Sequence, residues 1–211
     1  SFDYSYYNSD RDYYGPSAFD NYKAKGKRKF YSYKASRNLN NNYKFVGGAD
    51  FTKDEAIISN NNKSSDLTGL FLENIFDLNN NLTVTLGARQ DSHSKFGDHT
   101  VYRSTFALRN NGTTYGGSYG TGYRAPSLFE LFFAFGGNEN LKPEESQNID
   151  IGFSTTVSKN KINLSGSIFK NTVENRIDWP TGSPGYVQVT NKEERQGIEI
   201  DIDYKISDRY A

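Results

Sequence analysis

Over Asn81–Arg89 apolar and polar residues change places at every position: Leu82, Val84, Leu86 and Ala88 alternate with Thr83, Thr85, Gly87 and Arg89. A period of two is the side-chain period of a β-strand, because successive Cβ atoms point to opposite faces. The pattern recurs at Ile149, Ile151 and Phe153, at Ile162, Leu164, Gly166 and Ile168, and at Ile198, Ile200, Ile202 and Tyr204. In the last case Glu199, Asp201 and Asp203 fall between the apolar residues. A helix would scatter these acids around its surface, whereas a strand gathers all three on one face.

The same test predicts ten strands, at about 1–8, 27–37, 42–53, 66–77, 81–91, 99–109, 113–123, 147–157, 161–171 and 190–204. Most are longer than the roughly 5–6 residues of a globular strand. They match the roughly 9–11 that a tilted strand needs to cross a bilayer. The connections alternate too. Gaps 38–41, 78–80, 110–112 and 158–160 are short and built from turn residues such as Asn, Gly, Ser and Lys. Gaps 9–26, 54–65, 92–98, 124–146 and 172–189 are longer. Antiparallel strands put every long loop at one end and every tight turn at the other, as in barrels with short periplasmic turns and long extracellular loops. A Greek-key sandwich is not expected to keep that alternation.

Composition fits such a wall. The chain has 211 residues, is 15% aromatic and contains no methionine, yet its mean hydropathy is −0.79. Alternating lipid-facing and lumen-facing residues average the hydropathy away. No run of 18 apolar residues exists, the densest cluster being near Leu131–Phe135, so no transmembrane helix is expected. Ser1 opens directly into a strand-like pattern with no signal peptide. Without cysteine, disulfides and thiolate metal sites are excluded. Zero net charge offers no general electrostatic case for nucleic acid.

Tyr4, Tyr6, Tyr31, Tyr33, Tyr43, Phe45, Tyr115, Tyr119 and Tyr123 fall on the apolar register of their strands. Tyrosine suits the headgroup boundary, although cross-strand aromatic pairs in a sandwich read the same way. On the seventh strand the inward register is Thr114, Gly116, Ser118, Gly120 and Gly122, leading to Arg124. Such a bare face either bends the sheet or admits another backbone.

Three segments go beyond pattern: GARQDSHSKFG at Gly87–Gly97, YGTGYRAPSLFEL at Tyr119–Leu131, and GNENLKPEES at Gly137–Ser146. Pro126 and Pro143 end pairing, and Gly136–Gly137 reads as a flexible tip. Together and in order these segments resemble the barrel of TonB-dependent outer-membrane receptors. The match is best over about Leu82 to Gly197, and closest to cobalamin transporters. Siderophore receptors carry similar Arg-Ala-Pro and Leu-Lys-Pro-Glu segments.

The resemblance implies a 22-stranded antiparallel transmembrane β-barrel closed by an N-terminal plug. Substrate binds the extracellular loops and the plug apex, and TonB pulls on an N-terminal box. Gly116, Ser118, Gly120, Gly122 and Arg124 would then form a plug-facing wall. The sequence carries no plug, no TonB box, about half the strands and no terminal aromatic signal. It therefore reads as residues 1–211 of a barrel segment, a fragment of a receptor for cobalamin or, alternatively, a ferric siderophore. A passive porin and a soluble β-sandwich adhesin or lectin are the other readings.

The loop Leu128–Gly137 holds Phe129, Leu131, Phe132, Phe133 and Phe135, and apolar residues this dense on an extracellular loop need a partner. That partner is either a large ligand or neighbouring loops. Trp179 and Tyr186 are candidates of the same kind. No enzymatic site is expected. His93 and His99 lie near Asp91, Ser92 and Ser94, but no nucleophile motif accompanies them. Asp91 with Asp98 or His93, and the acids Glu193, Glu194, Glu199, Asp201 and Asp203, read as solvated or lumen-facing groups rather than cation ligands. No cofactor is implied for this chain; any calcium in the whole receptor would draw on other strands. Lys23, Lys25, Lys27, Arg28 and Lys29 sit at a loop-to-strand transition. They are solvated there or meet lipopolysaccharide phosphates.

Overall fold

A computed structural model describes residues 1–14, 22–58, 61–157 and 162–205. Ten strands form one antiparallel sheet in which sequence neighbours are spatial neighbours. They are β1 (Phe2–Tyr13), β2 (Tyr22–Asn40), β3 (Tyr43–Ile58), β4 (Asn61–Asn79), β5 (Leu82–His93), β6 (Gly97–Asn110), β7 (Thr113–Arg124), β8 (Glu144–Val157), β9 (Ile162–Glu174) and β12 (Glu193–Tyr204). Between β7 and β8 lies a short helix, α1 (Leu128–Phe132). Between β9 and β12 lies a small hairpin of β10 (Arg176–Asp178) and β11 (Val187–Val189).

The register sorts the side chains. Asp50 is opposite Gly69, Gly69 opposite Asp91, and Asp91 opposite His99, so these residues share one face. The other face carries Tyr31 opposite Phe51 and Leu72 opposite Ala88. It continues with Ala88 opposite Tyr102, Tyr119 opposite Ile149, and Ile168 opposite Ile198. These outward residues are open to their surroundings; Ile151 is 52% exposed, Ile168 55% and Ile200 69%. A band of exposed isoleucine, leucine, phenylalanine and tyrosine running across the ten strands is unfavourable in water but satisfied by lipid. Only Ile58, Leu131, Leu141 and Ile177 are buried hydrophobics among the described residues. The sheet is thus a membrane wall and not one layer of a sandwich, since no second sheet covers its apolar face among the described residues.

The tight turns follow their sequences. Asn111 and Gly112 both have positive φ (47° and 79°), as a two-residue hairpin turn matched to sheet twist requires. Asn40 Oδ1 accepts the Asn42 N–H, and Asn79 Oδ1 accepts those of Asn81 and Leu82. The expected turn at 158–160 lies outside the described residues.

Three of the expected long loops are mostly strand. β1 and β2 run on to Tyr13 and back from Tyr22, β3 and β4 extend to Ile58 and Asn61, and only Ser94–Phe96 separate β5 from β6. Over Ser9–Tyr13, Asp54–Ile58 and Asn61–Ser65 the alternation lapses, because beyond the lipid both faces meet water, whereas Tyr22, Ala24 and Gly26 still alternate with Lys23 and Lys25. Hydrogen bonding and charge pairs keep the strands together: Lys23 meets Asp12 at 3.1 Å and Lys25 meets Asp10 at 2.9 Å. The expected loop-to-strand lysines are therefore strand residues.

The β6–β7 ladder is cut short. Pairing ends at Arg103 opposite Gly120, and beyond it the Tyr102 N–H donates to Thr121 Oγ1 at 2.8 Å. Tyr115 and Tyr119 face outward and are half-exposed. Tyr123 departs from that set: its ring stacks on the inward His99 at 3.9 Å, filling the gap between the strands.

Candidate functional site: a roofed cleft on the inner face

The segment after β7 folds over the inner face because its sequence contains a capping box. Ser127 Oγ accepts the Glu130 N–H (3.2 Å), and Glu130 Oε2 accepts the Ser127 N–H (2.7 Å). The Ser-x-x-Glu spacing was the available signal for this helix, in a stretch that otherwise reads as loop after Pro126. α1 sets Phe129 and Phe133 one turn apart with rings stacked at 4.5 Å. Tyr22 packs edge-on against Phe133 at 4.9 Å. Phe132 points the other way, under the ammonium groups of Lys63 (3.9 Å) and Lys95 (4.8 Å). Beneath it lies a small core of Leu131, Leu141 and Ile177, with Phe96 and Tyr186 against it.

The β10–β11 loop locks onto this roof. The Tyr186 N–H donates to the Gly136 carbonyl (2.8 Å), Asn138 Nδ2 to the Tyr186 carbonyl (3.0 Å), and the Lys142 N–H to Gln188 Oε1 (2.6 Å). Gly136 is no flexible tip: a Cβ there would lie 2.8 Å from the Gly185 Cα. Trp179 meets Tyr186 at 5.0 Å and Phe133 at 6.1 Å. Burial, with Glu130 and Tyr22 nearby, pushes the Tyr186 phenol above its ordinary pKa. Of the six aromatic candidates, Phe129, Phe132, Phe133 and Tyr186 are part-buried among one another and their neighbours. Phe135 and Trp179 are the most open, at 54% and 39% exposed.

Between roof and wall is a cleft of about 920 Å³, lined among others by Tyr7, Arg11, Arg28, Asp91, His93 and Phe129. Inward residues of six strands meet in it, so this face curls around the space. Its charges are organised. Arg28 forms a two-pronged pair with Asp54 (2.6 and 2.7 Å). Beside the cleft, Arg89 does the same with Asp50 (2.6 and 2.8 Å) and also bonds the cleft-lining Asp91 at 2.8 Å. The guanidinium crosses Gly69, where a Cβ would meet Arg89 Nη2 at 2.0 Å. Sequence reasoning missed this network because its members are scattered over three strands.

His93 Nδ1 accepts the Lys95 N–H at 3.0 Å, and burial pushes its pKa down, so the neutral ring caps the β5–β6 turn. His99 Nε2 lies 3.2 Å from the Phe96 carbonyl. Among the described residues no three His, Asp or Glu side chains are placed to hold a metal ion.

Gly116, Ser118, Gly120 and Gly122 lie on the inner face, opposite Gly152, Asp150, Asn148 and Ser146. Ser118 hydrogen-bonds Asp150. At Gly116 and Gly120 a Cβ would meet nothing closer than 3.5 Å. Nothing within the sheet demands glycine there. Arg124, at the top of the same stripe, bonds Glu144 (2.7 and 2.7 Å) and Glu130 (3.1 and 3.1 Å).

A membrane wall with a loop-built roof over its inner face is the architecture of an outer-membrane receptor barrel. The chain belongs to the TonB-dependent receptor family: the model for "TonB dependent receptor-like, beta-barrel" matches residues 1–211. It is 31% identical over 159 residues to the vitamin B12 transporter BtuB of Vibrio vulnificus, covering 74% of this chain and 24% of that protein. It overlays the ferric enterobactin receptor PfeA of Pseudomonas aeruginosa with a TM-score of 0.81 at 17% identity, covering 98% of this chain and 38% of that one. The siderophore receptor PirA of Acinetobacter baumannii overlays at 0.76 with 16% identity, covering 98% and 39%. The chain thus spans about a quarter of its curated relative's length. The family consists of receptors and transporters, not enzymes.

Proposed function

We propose that the chain is part of the wall and roof of an outer-membrane receptor for energised uptake of a large, scarce nutrient, and that this nutrient is cobalamin. The observation that carries the substrate is the 31% identity to a vitamin B12 transporter over three-quarters of the chain. A ferric siderophore is the second reading, favoured by the overlays on PfeA and PirA; at 17% and 16% identity these speak for fold alone.

In this reading the ligand meets the open edges of Phe135 and Trp179 and the cleft-facing Phe129. Phe132, Phe133 and Tyr186 back them from within the roof. Gly116, Ser118, Gly120 and Gly122, with Arg124 above them, face a plug domain supplied by the whole receptor, whose N-terminal region engages TonB. Room for a Cβ at Gly116 and Gly120 supports this, because the space is left for another backbone. The outward aromatic band meets lipid, and Lys27 and Lys29 above it meet lipopolysaccharide phosphates. Selectivity comes from contacts, with no bond made or broken in the ligand.

The test is equilibrium binding and uptake of cyanocobalamin and ferric enterobactin by the full-length receptor in outer membranes. Saturable cobalamin binding is expected. Tight siderophore binding without cobalamin binding would reverse the substrate assignment, and binding of neither would sink both readings.

A further inference from the structure

We propose that Arg124 is the positioning residue of the roof, one guanidinium that fixes the aromatic segment over the cleft. The inference rests on reading the cleft as the ligand's path.

Arg124 is the last residue of β7, where the wall ends and α1 is about to begin. Its Nε and Nη2 take both oxygens of Glu144, the first residue of β8, at 2.7 Å. Its Nη1 takes both oxygens of Glu130 at 3.1 Å. Each carboxylate is already committed elsewhere. Glu130 closes the capping box that begins α1. Glu144 Oε1 also accepts the Ile177 N–H at 2.7 Å, and Ile177 lies in the core beneath the roof with Leu131 and Leu141. One side chain therefore joins the ends of β7 and β8, the start of α1 and the β10 strand.

The geometry uses what distinguishes arginine from lysine. A planar fork serves two carboxylates in fixed directions, and an ammonium presents one point charge. The side chains of Glu130 and Glu144 are only 15% and 17% exposed, so water competes weakly for them. Without Arg124 two neighbouring carboxylates would face each other and push α1 off the wall.

The test uses the full-length receptor with a nitroxide label on Ala134→Cys, an exposed site just after α1. Arg124→Gln and Arg124→Lys are each expected to mobilise the label in ligand-free membranes. Adding Glu130→Gln to Arg124→Gln removes one of the two facing carboxylates while keeping a capping-box residue, and is expected to leave the label less mobile than Arg124→Gln alone. The same single variants are expected to weaken cyanocobalamin binding at least tenfold while transport at saturation stays within twofold, and the Arg124→Gln, Glu130→Gln pair to recover part of the affinity. An unchanged label spectrum in Arg124→Gln would overturn the proposal, as would a mobile label with unchanged affinity. If the unsubstituted receptor binds neither cyanocobalamin nor ferric enterobactin, the transport reading fails, and the label spectra alone still decide for or against the clamp.

Discussion

At the scale of single residues, glycines on the inner face divide into two kinds. Gly69 is required by its own sheet, since a Cβ would displace the Arg89 guanidinium from Asp50 and from Asp91, which is 7% exposed. Gly69→Ala is expected to cost about 1–3 kcal/mol, the penalty for stranding buried charged partners. The measurement is the denaturant midpoint of the full-length receptor refolded in lipid. Gly116→Ala and Gly120→Ala meet only ordinary contacts and are expected to stay within about 0.5 kcal/mol in a plug-deleted barrel. A larger loss for these two only when the plug is present would report a body packed against them; equal small effects in both forms would argue against the plug-facing assignment. The bareness of this stripe was legible from the alternation of Tyr115, Tyr119 and the intervening small residues. The need for Gly69 was not, because Asp50 and Asp91 are brought to it by register and not by sequence proximity.

At the scale of elements, β8 offers a two-sided comparison. Ile151 is outward and 52% exposed, while Ser154 is on the opposite, inward register. Ile151→Arg is expected to destabilise the lipid-embedded barrel by about 2–4 kcal/mol, and Ser154→Arg by much less. Unfolding midpoints in vesicles check this, and equal costs would contradict the assigned faces. The roof has its own pH dependence. Glu144 lies above the outward apolar band, which begins on β8 at Ile149. Arg124 holds its carboxyl below the ordinary value of 4.5, outweighing burial, and the Ile177 N–H adds to the effect. A depressed carboxylate stabilises the fold above its unfolded pKa and loses that contribution as pH falls through the folded one. The roof label is thus expected to stay immobile from neutral pH down to about 5 and to loosen in still stronger acid. Loosening between pH 7 and 6 would point to another group. Strand existence was readable wherever lipid and lumen impose opposite demands on alternate residues. It failed at Ser9–Tyr13, Asp54–Ile58 and Asn61–Ser65, where strands stand clear of the bilayer and nothing enforces alternation, and at Tyr22–Gly26, where the alternation with Lys23 and Lys25 is present but reads as a basic run. α1 was lost among phenylalanines for a related reason, since a five-residue helix is too short to display its period.

At the scale of the molecule, this sheet has edges at β1 and β12 and a broad apolar outer face. The 211-residue chain alone in detergent-free buffer is expected to associate into large species through both features. Sedimentation velocity checks it, and a monodisperse folded monomer would contradict the membrane-wall reading. The interrupted seam between β6 and β7 has a mechanical consequence. A cylinder stitched all the way round resists bending equally in every direction; one whose stitching stops below the rim has a compliant quarter. Here that quarter adjoins His93, Tyr123 and the root of the roof. Bending of the wall would gather there first, on a hinge of one stacked pair of rings, His99 and Tyr123.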